Sequence, residues 1–312
     1  MSRTLKAPYP WFGGKSAVAT QVWQRFGKVR NYVEPFFGSG AMLLARPTPF
    51  DGPETVNDAD CYLANFWRAL RADAEAVAEW TDWPVNEADL HARHLWLIAQ
   101  DEFRERMKSD PEYYDARVAG WWVWGLCKWI GGGWCAKPHK RRPHLGDQGR
   151  GVDRPSQKRP HLGDQGRGEI YDYFRLLSDR FRRVRVCCGD WSRVCGPTPT
   201  VKQGLTAVFL DPPYSAEAGR ENEIYAVENL TVAHDVREWC LERGDDPLIR
   251  IALCGYEGEH DELEQHGWDV VAWKARGGYA RQGSRGEINA RRERIWYSPH
   301  CINPHSLLPF GD

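Results

Sequence analysis

The 312-residue chain has no apolar run near the roughly 18 residues a bilayer-spanning helix needs, and Met1 to Ser16 has no apolar signal region. Both absences point to a soluble, cytoplasmic protein with no membrane partner. Charge of one sign is missing too. With 42 Lys+Arg against 43 Asp+Glu the formal charge is -1, so no whole-chain field draws it to a polyanion and any basic surface must be local. The nine cysteines are odd in number and scattered, in a chain long enough to bury a core without staples, which argues against a disulfide framework. Most of them are expected to be buried thiols. What is plentiful is tryptophan, at 16 residues, alongside 42% hydrophobic and 27% charged residues. That composition suits one large α/β domain, or a core domain carrying an insertion.

Arg30 to Phe36 is a short apolar strand pattern that runs into Phe37-Gly38-Ser39-Gly40 and then the helix-forming Ala41 to Ala45. A second strand, Glu54 to Asn57, ends at Asp58 and leads into a helix from Tyr62 to Leu70, so the opening predicts βαβα and a parallel sheet. From about Asp73 to Ile130 the periodicity is helical. Residues 131 to 168 are rich in Gly, Pro, Arg and His, and RPHLGDQGRG occurs twice, at Arg142 to Gly151 and Arg159 to Gly168. So few apolar residues cannot offset the ordering entropy, so this stretch is expected to be a mobile loop or one ordered by a partner. The α/β rhythm then resumes with a helix over Glu169 to Arg180, strands at Val184 to Cys188 and Ala207 to Leu210, a helix over Val232 to Glu242, and strands at Leu248 to Leu253 and near Val270 and Ile295. The two α/β blocks are expected to share one sheet.

The most specific string is Asp211-Pro212-Pro213-Tyr214, directly after an apolar strand. Ligands of open α/β sheets sit at carboxyl ends of strands, so the tetrapeptide falls at the active edge. Two prolines stiffen a turn that presents the Asp211 carboxylate and the Pro212 carbonyl beside the Tyr214 ring. An exocyclic amine on a nucleobase needs two acceptors and a flat face. Accepting both of its hydrogens localises the nitrogen lone pair and stabilises the charge that grows as the nitrogen attacks. The glycine turn alone is less specific, since its spacing also suits a nicotinamide or flavin protein.

DPPY after a strand, together with Phe36-Phe37-Gly38-Ser39-Gly40, resembles the amino-group DNA methyltransferases, and more narrowly the Dam-like DNA adenine methyltransferases. Pro10-Trp11-Phe12-Gly13-Gly14-Lys15, Tyr32-Val33-Glu34-Pro35-Phe36 and Val56-Asn57-Asp58 are similar to further elements of that family, in the family's order. The resemblance covers the first 70 residues and most of 183 to 298. It implies a Rossmann-like S-adenosylmethionine-dependent methyltransferase fold with a mostly helical target-recognition insertion. The catalytic domain would then comprise residues 1–72 and 169–312, with the insertion at 73–168. It also implies site-specific methylation of the 6-amino group of adenine in double-stranded DNA, with or without a restriction partner. Asp211, Pro212, Pro213 and Tyr214 would be catalytic. Trp11, Gly14, Lys15, Glu34, Pro35, Phe36, Gly38, Gly40, Asp58 and Asp190 would hold the cofactor, Glu34 meeting its ammonium, Asp58 its ribose hydroxyls and Asp190 its adenine ring. Trp11 and Lys15 would close over it. The 4-amino group of cytosine offers the same two hydrogens, and only the resemblance favours adenine.

A base inside a duplex must be rotated out of the stack to reach a strand-end pocket, which requires phosphate contacts. Between Lys137 and Gly168 nine Lys/Arg face three Asp, and between Lys274 and Arg294 seven Lys/Arg face two Glu, local excesses of +6 and +5. Candidate DNA contacts are Lys128, Lys137, Arg141, Arg142, Arg281 and Arg285. The tryptophans from 121 to 134 are expected in the insertion's core rather than as base wedges. Cys127, Cys135, His139 and His144 are not spaced like a zinc finger, and no metal is expected. A monomer is compatible with the sequence. The contrasting reading is a DNA-binding protein with a degenerate methyltransferase core, against which the intact Asp211 and turn glycines argue.

Overall fold

A computed structural model describes residues 5–9, 11, 13–84, 86–110, 112–129, 134–135, 168–214, 232–273 and 291–303. The strands are β1 (Asn31–Glu34), β2 (Glu54–Asp58), β3 (Val184–Cys188), β4 (Thr206–Leu210), β5 (Ile249–Tyr256), β6 (Asp269–Ala272) and β7 (Glu293–Tyr297). They form one mixed sheet in the order β3-β2-β1-β4-β5-β7-β6. β1 pairs in parallel with β2 and β4, and β4 with β5. The expected parallel sheet is corrected at one edge: β7 is antiparallel to both β5 and β6. Local periodicity reports a strand but not its direction, so this insertion between β5 and β6 has no signature in the sequence.

The chain divides into two compact units. The first takes in residues up to 11 and 57–190 and is mainly helical: α3 (Cys61–Ala72), α4 (Ala74–Thr81), α5 (Glu87–Ile98), α6 (Asp101–Ser109), α7 (Ala116–Lys128) and α8 (Gly168–Phe181) follow the short helices α1 and α2 of the other unit. Four of these helices are capped by the residue types that stop backbone donors going unpaired. Asp60, Asp73, Asn86 and Asp115 accept from Tyr62, Ala76, Asp89 and Val118 amides at 2.7–3.0 Å. The buried Asn65 side chain then bonds both the Asp115 amide and its carbonyl, at 2.8 and 2.9 Å, pinning the start of α7 to α3. The tryptophan excess is largely spent here. Trp67 stacks on Phe181 with ring centres 4.2 Å apart, and Tyr9, Phe66, Trp122 and Phe174 surround the pair in mostly edge-on contacts. Gly120 lets α7 approach α4, because a Cβ there would lie 2.3 Å from Trp80 Cβ. Of the tryptophans expected in this core, Trp122, Trp124 and Trp134 are buried, and Trp121 and Trp129 are half-buried.

The second unit holds residues 12–56, 191–221 and 229–312, with α1 (Ala19–Phe26), α2 (Ala41–Leu44) and α9 (Val232–Arg243). β1 and β4 are buried along their whole length, which is why NYVE and TAVFL lack the polar alternation of a one-sided sheet. Trp23 of α1 packs on Tyr32 at 4.9 Å and donates to the Met42 carbonyl at 2.9 Å, tying α1, β1 and α2 together. Arg46 and Glu54 form a buried ion pair at 2.9 Å, and the same guanidinium reaches the Val29 carbonyl. Eight of the nine cysteines are buried and none is bonded in a disulfide; Cys187 is half-buried. Among the described residues no helix is long and apolar enough to cross a membrane.

Candidate active site

From β1 the chain proceeds to β2 and β3 on one side, whereas β4 leads to β5 on the other. The gap between β1 and β4 is therefore a topological switch point, where open α/β sheets bind ligands outside the carboxyl ends of their strands. Val33 pairs level with Val208, so Glu34 ends β1 and Asp211 follows β4 at the same edge. The sequence brings both to this place by the same means, a short fully buried strand stopped by proline.

Lys15 reaches the tip of β4 from the N-terminal segment. Gly13, at φ +70°, turns the chain into a single 3₁₀ turn over Lys15–Ala17 that leads into α1. The Lys15 side chain is buried, and its Nζ donates to the Gly13 carbonyl at 2.9 Å and pairs with Asp211 Oδ1 at 2.8 Å. It also lies 5.5 Å from the Tyr214 ring centre and 5.7 Å from that of Trp273, within cation–π range. Burial opposes the ammonium, but the Asp211 charge, reinforced by Cys254 and Glu293, overrides it and raises the Lys15 pKa well above that of a free lysine. Lys15 is thus a fixed positive charge on the DPPY carboxylate. Both side-chain contacts to Asp211 fall on Oδ1; neither Oδ2 nor the Pro212 carbonyl has a hydrogen-bond partner among the described residues.

Tyr214 is held from the far side of the sheet. Its hydroxyl donates to Glu293 Oε2 at 2.7 Å, and Asp211 Oδ1 stands farther off at 3.4 Å. Its ring meets Tyr256 edge-on, with centres 4.5 Å apart. Tyr256 ends β5 and Glu293 begins β7 directly opposite it. Burial, with Asp211 and Glu293 nearby, pushes the Tyr214 phenol well up, so it remains a hydrogen-bond donor. Glu293 is itself raised by burial, an effect that Lys15 and the Tyr214 hydroxyl partly reverse. Sequence reasoning missed Glu293, Tyr256 and Trp273. For Glu293 a signal existed: it shares a strand face with Ile295 and Tyr297, an acid where period two calls for an apolar residue.

The turn after β1 is built by its own residues. Gly38 and Gly40 have φ of +50° and +70°, and the Gly40 amide closes onto the Phe37 carbonyl at 2.9 Å. A Cβ on Gly40 would stand 2.6 Å from the Phe37 ring, so glycine is required there whatever binds above. Glu34 is buried and accepts the Tyr32 hydroxyl on Oε2 at 2.8 Å. Pro35 is buried, and Phe36, half-buried, stacks on Trp191 at 6.1 Å. Gly14 is exposed.

The remaining candidates divide between the helical unit and residues outside the description. Trp11 is half-buried against Tyr9 and Trp122, at 5.9 and 6.3 Å. Asp58 ends β2 and accepts the Asp60 amide at 2.9 Å, while Asp60 rather than Asp58 caps α3. Burial, and secondarily Asp58, raise the Asp60 carboxyl to about 7. The Gly189 amide bonds the Asp58 carbonyl, and Asn57 donates to the Gly189 carbonyl, which fixes Asp190 just beyond β3. Lys128 is the last residue of α7. Lys137, Arg141, Arg142, Arg281, Arg285, His139, His144 and the RPHLGDQGRG duplication up to residue 167 lie outside the described residues. Cys127 and Cys135 are buried, and burial pushes the Cys127 thiol up to about 12.

Residues 11–123 match the model of the D12 class N6 adenine-specific DNA methyltransferase family. The matched span takes in Lys15, Glu34, the glycine turn and Asp58, and ends before Asp211. No curated protein matches the chain.

Proposed function

We propose that the chain, whose residues 11–123 match the D12 class N6 adenine-specific DNA methyltransferase family, takes a methyl group from S-adenosylmethionine and delivers it at the tip of β4 to an adenine rotated out of double-stranded DNA. The residues at the switch point fit such a donor: a buried carboxylate, Glu34, for an ammonium, beside a tight turn with two positive-φ glycines. Gly14, Pro35 and Phe36 are further proposed cofactor contacts. Asp58 and Asp190, each at a strand end, are the proposed partners of ribose hydroxyls and adenine, and Trp11 of the cofactor's outer side. When bound, the donor supplies an electrophilic methyl on a sulfonium.

The chemistry then falls to the β4 turn. Asp211 Oδ2 and the Pro212 carbonyl accept the two hydrogens of the 6-amino group, drawing the lone pair out of the ring system. Pro213 keeps the turn stiff, and Tyr214 offers its ring to the base. Lys15 occupies Oδ1 and fixes the carboxylate's orientation, so the other oxygen is presented rather than left to rotate. As the nitrogen gains positive charge its proton becomes acidic, and no separate strong base is needed. The single observation that carries this reading is the asymmetric Asp211 carboxylate, held by a buried ammonium on one oxygen only.

Residues 73–168 are the proposed target-recognition part. Lys128, Lys137, Arg141 and Arg142 within it, with Arg281 and Arg285 beyond it, are the proposed phosphate or groove contacts, together neutralising several phosphates. The test is nucleoside analysis of DNA from a host expressing the protein. N6-methyladenine is expected in a defined sequence context; N4-methylcytosine in its place, or no methylated base, overturns the proposal.

A further inference from the structure

Building on the methyltransferase reading above, we infer that Glu293 is a positioning residue: it holds the Tyr214 hydroxyl from β7 and so keeps that hydroxyl off the Asp211 carboxylate. The phenol has two acceptors within reach, Glu293 Oε2 at 2.7 Å and Asp211 Oδ1 at 3.4 Å. A single proton serves the nearer one. Without Glu293, the acceptor left within reach among the described residues is Asp211. Moving to it turns the Tyr214 ring out of its packing on Tyr256, and adds a second donor to an oxygen already bonded to Lys15. A carboxylate shared among more donors is a weaker acceptor for an incoming amine. β7 is well placed for this task because its antiparallel entry between β5 and β6 brings its first residue, Glu293, beside Tyr256 at the edge where β4 ends. A carboxylate with 6% of its surface exposed, on a strand face otherwise apolar, has no evident packing purpose. The raised pKa of the Tyr214 phenol keeps its proton in place for donation.

The test compares single-turnover methylation of duplex DNA and S-adenosylmethionine binding by calorimetry in wild type, Glu293→Ala, Glu293→Gln, Tyr214→Phe and the Glu293→Ala/Tyr214→Phe pair. Glu293→Ala is expected to slow the methyl-transfer step by about tenfold, the scale of one hydrogen bond to a charged group, with cofactor affinity unchanged. Glu293→Gln, whose amide oxygen still accepts the phenol, recovers most of that loss. In the Tyr214→Phe background, with no hydroxyl to redirect, Glu293→Ala costs nothing further. A silent wild type overturns the methyltransferase reading and this inference with it. An active wild type with an indifferent Glu293→Ala, a Gln variant as slow as Ala, or an undiminished Glu293→Ala effect in the Tyr214→Phe background overturns the Glu293 assignment alone.

Discussion

Replacing Lys15 by methionine removes the charge on Asp211 while keeping the length of the side chain, and the expected cost follows from the geometry. Two unit charges 2.8 Å apart attract by about 6 kcal/mol at an effective dielectric constant near 20. Desolvation of a lysine side chain that is 5% exposed offsets much of this, and the 24% exposed Asp211 side chain recovers some hydration when its partner leaves. The net loss is expected to be about 2 kcal/mol, seen as a melting point lowered by roughly 3 °C in a chain of this length. Because the Lys15 pKa is raised above its unfolded value, the ammonium's contribution is complete below about pH 10 and is lost only as pH climbs through the folded value. The melting gap between wild type and Lys15→Met should therefore stay constant from about pH 6 to 9. Methyl transfer, measured in a single turnover, should slow by about a hundredfold, since the carboxylate is no longer fixed. Adding Asp211→Asn should restore part of the stability and none of the rate. Equal melting points, or a rate unaffected by Lys15→Met, would show that Lys15 neither stabilises nor orients the Asp211 carboxylate.

Two further substitutions probe the frame of the site and the pH response. Gly40→Ala places a methyl group at φ +70° and 2.6 Å from the Phe37 ring, and should lower stability by about 1–3 kcal/mol in urea unfolding; a neutral substitution would show the turn to be more plastic than described. Asp60 has a folded pKa of about 7 against about 4 when unfolded, so its ionisation favours the unfolded chain and wild type loses stability as pH rises between those values. Asp60→Asn keeps the cap on α3 and cannot ionise. Its advantage over wild type should grow by about 1–2 kcal/mol from pH 4 to 7 and then level off, and a gap independent of pH would count against the buried acid.

The fully buried strands were the most legible part of the fold. TAVFL is a continuous run of apolar and small residues and NYVE a short buried run ending on Glu34, each followed within two residues by proline, and both strands lie where the sequence pattern puts them, within a residue or two. The Val184–Cys188 strand and the α8 and α9 helices were equally readable. α1 was not, because ATQVWQRF mixes polar and apolar residues over only eight positions and carries no capping side chain. At the site, the sequence located Asp211 and Tyr214 through a rigid motif and Glu34 through its place before the glycine turn. It placed Lys15 over the cofactor, whereas the buried side chain reaches Asp211, a contact between residues 196 positions apart that no local spacing reports. Glu293 was counted only as a negative charge in a basic segment; its meaning depends on β7 running antiparallel to β5. The Gly40 requirement also has a nearer cause than a ligand, the Phe37 ring beneath it.

The central claim is that paired acceptors on the β4 turn activate the amine, and Asp211→Ala tests it most directly when methyl transfer and S-adenosylmethionine binding are measured on the same preparation. Labelled methyl incorporation into duplex DNA is expected to fall by at least about a thousandfold while cofactor affinity stays within a few fold. Incorporation at the wild-type rate, with the cofactor bound, would contradict it.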